Sequence, residues 1–99
     1  MNKQNIILIG MPGAGKSSVG VILAKVLGYE FIDTDLVIQH REKRLLREII
    51  ADEGNEGFLA IENEVNATLE ADKSVIAPGG SAIYGKEAME HFKEIGTIV

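Results

Sequence analysis

The sequence contains no cysteine, fewer basic than acidic residues, and no long hydrophobic run. Without cysteine, a small secreted scaffold held together by disulfides is excluded. Ten lysines and arginines against fifteen aspartates and glutamates give a net charge of −5. This balance argues against a general nucleic-acid or anionic-membrane binder, because both need a basic surface. We therefore expect neither a nucleic-acid partner nor a membrane partner.

The apolar run that spans residues 5–10 is only six residues long. It is too short for a signal-peptide core or a membrane span, and no targeting segment is visible. Internal repeats and low-complexity segments are also absent. A cytoplasmic location is the expectation that follows.

The composition, 45% hydrophobic and 25% charged, is typical of a soluble globular protein. A chain of 99 residues buries about two-thirds of its surface on folding, which suffices for one domain. Short β-rich runs alternate with longer segments of helical periodicity. We expect strands at 6–9, 31–32, 74–77 and 97–99, and helices at 16–27, 36–43, 45–52, 58–71 and 86–95.

This alternation predicts an α/β fold of three layers, a parallel sheet flanked by helices. The run 6–9 has no polar alternation, as expected for a strand buried on both faces. The sequence stops as the strand at 97–99 begins, so we expect a truncated domain of the P-loop NTPase type.

The P-loop assignment comes from residues 10–17, Gly-Met-Pro-Gly-Ala-Gly-Lys-Ser, which match G-x-x-x-x-G-K-[ST] between a strand and a helix. Such a match arises by chance in about half a percent of sequences of this composition. Gly13 and Gly15 allow successive amides to turn inward around an anion. Lys16 brings a point charge to the β- and γ-phosphates, and Ser17 offers a hydroxyl to Mg²⁺. The pattern predicts binding of a nucleoside triphosphate with Mg²⁺; the alternative is an ordinary glycine-rich turn.

Two acidic residues, Asp33 and Asp35, follow the second predicted strand. The carboxyl ends of parallel strands share one edge, so we expect these acids opposite the phosphate loop. In an extended segment both side chains would point the same way. One carboxylate could then hold the Mg²⁺ shell or take a proton from an attacking hydroxyl, while the other binds substrate hydroxyls. The structural alternative is a helix N-cap at Thr34 or Asp35.

Residues 78–81, Pro-Gly-Gly-Ser, follow the predicted strand at 74–77. No acid stands at this strand end, which places more weight on Asp33 as the metal-binding carboxylate. The glycine pair allows a backbone N–H to approach a ligand closely, although an ordinary turn has the same composition.

The sequence resembles the shikimate kinase family in four segments that follow one another in the same order. These segments are residues 10–17, residues 33–35, Gly57-Phe58 with Glu62, and residues 75–80. The resemblance covers the whole chain. It implies a P-loop fold related to the nucleoside monophosphate kinases, with a role in aromatic amino acid biosynthesis. The implied reaction transfers the γ-phosphate of ATP to a hydroxyl of a small-molecule substrate, shikimate.

Carried over by position, the resemblance implies a set of functional residues. ATP would be bound by Gly13, Ala14, Gly15, Lys16, Ser17 and Ser18, and Mg²⁺ by Ser17 and Asp33. The catalytic residues would be Lys16 and Asp33, and the substrate would be bound by Asp35, Gly79 and Gly80. Residues 1–99 would form the N-terminal part of a single P-loop kinase domain, without the family's lid and adenine-binding segment.

Two positions depart from the family pattern. Leu59 stands where the family has an arginine that clamps the substrate carboxylate, and Ser81 stands where the family has a third glycine. The arginines available here, Arg41, Arg44 and Arg47, either reach the substrate or lie on a solvated helix face. The alternatives are therefore a kinase of the same fold for another small hydroxylated metabolite, or a nucleotide-binding fragment without catalysis.

Overall fold

The computed structural model describes residues 4–9 and 14–99, with the backbone alone for residues 14–17. Strands and helices alternate through this part of the chain. The strands are β1 (Asn5–Ile7), β2 (Glu30–Asp33), β3 (Ser74–Ala77) and β4 (Gly96–Ile98). The helices are α1 (Ala14–Leu27), α2 (Thr34–Glu42), α3 (Leu46–Ala67) and α4 (Lys86–Ile95), with a 3₁₀ turn at Ala82–Tyr84 before α4.

The strands form one parallel sheet in the order β2-β3-β1-β4. Val75 of β3 is opposite Ile6 of β1 on one side and Phe31 of β2 on the other, so β3 lies inside the sheet. Each strand is followed or preceded by a helix, as parallel pairing requires. The predicted fold class, a parallel sheet flanked by helices, is confirmed.

The period of two along each strand sends alternate side chains to opposite faces of the sheet. On one face Ile7 and Ile76 pack with Phe92 of α4, and all three side chains are fully buried. On the other face Leu8 and Val75 pack with α1. The helices α1 and α4 therefore cover different faces, and the sheet is the middle layer of three.

Helices α2 and α3 pack against each other through a separate apolar cluster of Ile38, Ile49 and Val65. Ion pairs add to this contact. The Arg44 guanidinium lies 3.0 Å from Asp52 and 3.1 Å from Glu42, and these hydrogen bonds raise the pKa of Arg44 above its ordinary value.

The expected helix bounds are met only at α4: α1 is Ala14–Leu27 rather than 16–27, and α2 is Thr34–Glu42 rather than 36–43. The helix at 86–95 is confirmed as α4. The helices expected at 45–52 and 58–71 form the single segment α3, which breaks at Gly54 (φ 75°, ψ 174°), a conformation that glycine adopts readily. The expected end at residue 71 is wrong: α3 ends at Ala67, and Thr68 is its C-cap with a backbone that leaves the helical range (φ −110°, ψ 5°).

Across residues 4–9 and 14–99, every helix is too short or too polar to cross a membrane.

Candidate active site

Three strands whose ends carry the predicted site residues are neighbours in the sheet. Because β2, β3 and β1 are adjacent and parallel, their carboxyl ends meet at one edge. The phosphate-binding sequence follows β1, Asp33 ends β2, and residues 78–81 follow β3. The topology therefore brings the three predicted parts of the site to the same edge.

The phosphate-binding sequence leads into α1, which begins at Ala14. Gly13 lies outside the described residues, as do the side chains of Ala14, Gly15, Lys16 and Ser17. Ser18 is exposed. The first turn of α1 is thus formed by the last residues of this sequence, and free amides at a helix start are suited to anion binding.

The two aspartates of the second strand end adopt different conformations. Asp33 is the N-cap of α2, and its Oδ1 accepts a hydrogen bond from the Asp35 amide at 2.9 Å. The prediction of Thr34 or Asp35 as the cap is wrong, because the helix already includes Thr34. The expectation that both acids lie in one extended segment is wrong for the same reason. Capping uses one Asp33 oxygen, and among the described residues this carboxylate makes no other hydrogen bond.

Gly79 brings Asp35 together with a residue that the site prediction missed. A Cβ atom built on Gly79 would lie 2.8 Å from Oε2 of Glu62 and 3.0 Å from Oδ1 of Asp35. Two carboxylates therefore lie against this glycine, and a side chain at position 79 would have to displace at least one of them. Gly80 differs, because a Cβ atom there would meet nothing within 4 Å.

Glu62 comes from α3 and is only 2% exposed. The Ser81 hydroxyl donates to its Oε1 at 2.6 Å, the length of a charge-assisted hydrogen bond. The sequence contains a signal for this residue: Glu62 is an acid beside Ile61 and three residues before Val65, on the apolar side of the helix. A buried charge at such a position needs specific partners.

A cavity of about 280 Å³ opens next to Glu62, between α3 and the start of α4. It is lined by Leu59, Ala60, Glu62, Asn63, Ser81, Ala82, Tyr84, Gly85, Lys86 and Glu87. Leu59 is 39% exposed and contributes apolar surface. The cavity adjoins the Gly79 turn, because Glu62 lines the cavity and also lies against Gly79.

Asn63 fixes the start of α4 at this cavity. Its side-chain Oδ1 accepts a hydrogen bond from the Ala88 amide at 3.0 Å, and its Nδ2 donates to Glu87 at 3.0 Å. The N-cap of α4, Gly85, has no side chain to cap the helix, so Asn63 performs this function from α3. A Cβ atom on Gly85 would lie 2.3 Å from Asn63 Oδ1, so a side chain at position 85 would have to displace Asn63.

Two of the three arginines that were candidates for the substrate are engaged elsewhere. Arg41 pairs with Glu64, and Arg44 pairs with Glu42, Asp52 and Glu53. Arg41 thereby joins α2 to α3, and Arg44, in the connection between these helices, pairs with acids of both. Neither Arg41 nor Arg44 lines the cavity next to Glu62.

The donors at the sheet edge suit Mg²⁺ in their chemistry. Among the described residues no three His, Cys, Asp or Glu side chains cluster around a possible metal position. Mg²⁺ does not need such a cluster, because it keeps several waters and binds one or two carboxylates together with phosphate oxygens. Asp33 provides a carboxylate of this kind at the end of β2, on the same edge of the sheet as the ends of β3 and β1.

Comparison with known proteins gives a consistent picture. Residues 12–99 match the family model described as shikimate kinase. Shikimate kinase 2 of Yersinia enterocolitica is 38% identical over 96 residues, and that of Yersinia pseudotuberculosis is 36% identical; each match covers 97% of this chain and 55% of the relative. The chain therefore spans about half the length of the curated relatives that it matches.

Solved structures agree in fold. Shikimate kinase from Acinetobacter baumannii, in complex with shikimate, superposes with a TM-score of 0.85 at 35% identity, covering 97% of this chain and 54% of that one. Shikimate kinase from Bacteroides thetaiotaomicron gives a TM-score of 0.82 at 32% identity, covering 96% and 55%.

Proposed function

Because the chain belongs to the shikimate kinase family, we propose that it is an ATP-dependent kinase that transfers the γ-phosphate of ATP to a hydroxyl of shikimate. One observation carries this proposal: the phosphate-binding sequence, Asp33 and the Gly79 turn meet at the carboxyl ends of three adjacent parallel strands. We also propose that residues 1–99 form one unit of a P-loop kinase domain.

The nucleotide is proposed to bind where β1 leads into α1. Its phosphates are held by Gly13, Ala14, Gly15, Lys16, Ser17 and Ser18. Backbone amides at the start of α1 donate to phosphate oxygens, and Lys16 adds a positive charge on a flexible stem. The start of α1 at Ala14 supports this assignment.

Ser17 and Asp33 are the proposed protein ligands of Mg²⁺. Bound Mg²⁺ would neutralise the negative charge that builds up on the phosphate oxygens during transfer. Both side chains offer the hard oxygen donors that this ion prefers. The Asp35 amide holds Asp33 by one oxygen, which fixes the direction of its carboxylate.

The acceptor is proposed to bind on the other side of Asp33, against Asp35, Gly79 and Gly80. Asp35 accepts hydrogen bonds from acceptor hydroxyls, and the backbone of Gly79 and Gly80 contacts the ring. Asp33 takes the proton of the attacking hydroxyl as its oxygen bonds to the γ-phosphorus, while the bond from this phosphorus to the bridging oxygen breaks and ADP leaves. The close approach of Asp35 to Gly79 supports a single acceptor site shared by these residues.

A coupled assay of ADP release tests this function. We expect shikimate to stimulate ADP release, and Lys16→Met to lower the rate by about a hundredfold or more, as for loss of a charge at the transferring group. Lys25→Met is the matched control, since Lys25 is exposed at the far end of the same helix, and it should leave the rate unchanged. Binding of Mg-ATP without any shikimate-stimulated release would instead indicate a nucleotide-binding fragment.

A second candidate is a kinase of the same fold for another small hydroxylated metabolite. The observation that favours it is Leu59, an uncharged side chain 39% exposed at the cavity. A panel of hydroxylated acids and neutral polyols in the same assay separates the two functions. Faster turnover of shikimate than of every other compound would exclude this second candidate.

A further inference from the structure

We propose that Lys86 binds the carboxylate of the phosphoryl acceptor in the cavity between α3 and α4. This inference rests on the proposed kinase function, because it concerns how the same acceptor is held. It assigns a specificity-determining role to a residue at the start of α4 that faces the cavity.

The charges of the cavity create the need for such a residue. Among its described lining residues, Glu62 and Glu87 are acids and Lys86 is the single cation. An acceptor carboxylate entering the cavity meets two negative charges, and like charges at close range repel. A carboxylate-bearing acceptor is therefore favoured only where the Lys86 ammonium faces it.

Both acids accept a hydrogen bond from a neutral donor other than the lysine. The Ser81 hydroxyl donates to Glu62 at 2.6 Å, and the Asn63 amide donates to Glu87 at 3.0 Å. Within residues 4–9 and 14–99, Lys86 forms no ion pair with a carboxylate. Its ammonium is exposed and available to a ligand.

The backbone of Lys86 is held in place, whereas its long side chain can change conformation. Asn63 accepts a hydrogen bond from the Ala88 amide, two residues along the chain, and Gly85 packs directly against Asn63. The backbone of Lys86 is thereby held at the cavity wall. Its four-carbon stem allows the ammonium to meet a carboxylate in several positions along the cavity.

None of the chain's three arginines, Arg41, Arg44 and Arg47, is among the described residues that line the cavity. Arg41 and Arg44 form ion pairs between α2 and α3, and Leu59 adds only apolar surface to the cavity. The lysine at the start of α4 is therefore the cation that the geometry assigns to an anionic group of the acceptor.

Binding of two matched ligands to the full chain tests this assignment. Shikimate carries the carboxylate, and its methyl ester has the same ring and hydroxyls without the charge. Dissociation constants are measured by calorimetry for the wild type, Lys86→Met and Lys86→Arg. Lys93→Met is the control, because Lys93 is exposed on the same helix and does not line the cavity.

We expect Lys86→Met to weaken shikimate binding about three- to tenfold, the range for a partly solvated ion pair, and to leave the ester unchanged. Lys86→Arg should restore binding of shikimate, and added salt should weaken binding of shikimate but not of the ester. Equal effects on both ligands, or none on either, would overturn the role of Lys86. If the wild type binds neither ligand, the proposed function itself fails and the role of Lys86 fails with it.

Discussion

The helices on the two faces of the sheet bury their apolar residues to different extents. On one face, α4 places Ala88 and Phe92 at 0% exposure against the sheet and α3. On the other face, α1 buries Ala24 and leaves Ile22 64% and Val26 77% exposed. Both helices have apolar residues at helical spacing, so helical spacing in the sequence does not reveal which of them become buried.

This difference in burial indicates that the two faces contribute unequally to the stability of the described chain. On the face covered by α4, buried apolar side chains are accompanied by specific hydrogen bonds that α3 makes through Glu62 and Asn63. The proposed acceptor site belongs to this face. The outer side of α1 lies in solvent and contributes little burial, so the same substitution should have different costs on the two faces.

Phe92→Ala is expected to have the largest effect. Phe92 is fully buried against Ile7 and Ile76, and removal of a buried aromatic ring costs about 3–5 kcal/mol through lost transfer energy and the remaining cavity. Urea denaturation followed by circular dichroism measures the loss, with Phe92→Leu as the milder control. A change below about 1 kcal/mol would contradict tight packing on this face.

Gly79→Ala is expected to cost about 1–3 kcal/mol, because a methyl group there collides with the carboxylates of Glu62 and Asp35. Gly80→Ala is the matched control one residue later, where a Cβ atom meets nothing within 4 Å. The control should change the free energy of unfolding by less than about 0.5 kcal/mol. Equal costs for the two variants would show that the carboxylates do not enclose Gly79.

Asn63→Ala is expected to destabilise the chain by about 1 kcal/mol, the typical value of a helix cap. It leaves the amide of Ala88, a fully buried residue, without its acceptor. Glu87→Gln retains an acceptor for Asn63 Nδ2 and should cost less. Amide hydrogen exchange of Ala88 measures the effect locally: exchange should quicken in Asn63→Ala, and unchanged exchange would argue against the cap.

Most of the fold follows from local patterns in the sequence. The buried run at 74–77 predicts β3, and the spacing of Ala88, Phe92 and Ile95 accompanies a helix with the expected bounds. The N-cap of α2 was not identified, since aspartate, threonine and aspartate stand in succession and any of them can cap a helix. Only the backbone geometry of Asp33 distinguishes them.

The candidate site is less accessible from the sequence, because its contacts join residues that are far apart along the chain. Ser81 bonds to Glu62 across nineteen positions, and Asn63 caps a helix that begins more than twenty residues later. Such pairs depend on how α3 lies against the Gly79 turn, which no local pattern records. The strand ends could be placed beforehand, since parallel topology alone brings Asp33 and Gly79 to one edge.

The smallest effect is expected for a substitution on the exposed side of α1. Val26→Ala removes two methyl groups from a side chain that is 77% exposed, so the loss of burial is slight and the better helix propensity of alanine offsets it. We expect a change within about 0.5 kcal/mol of zero in urea denaturation. Val65→Ala makes the same substitution at a side chain only 4% exposed and should cost about 2 kcal/mol. A cost at Val26 that approaches the cost at Val65 would mean that the outer side of α1 is covered in solution, and the contrast between exposed and buried helix positions would then be lost.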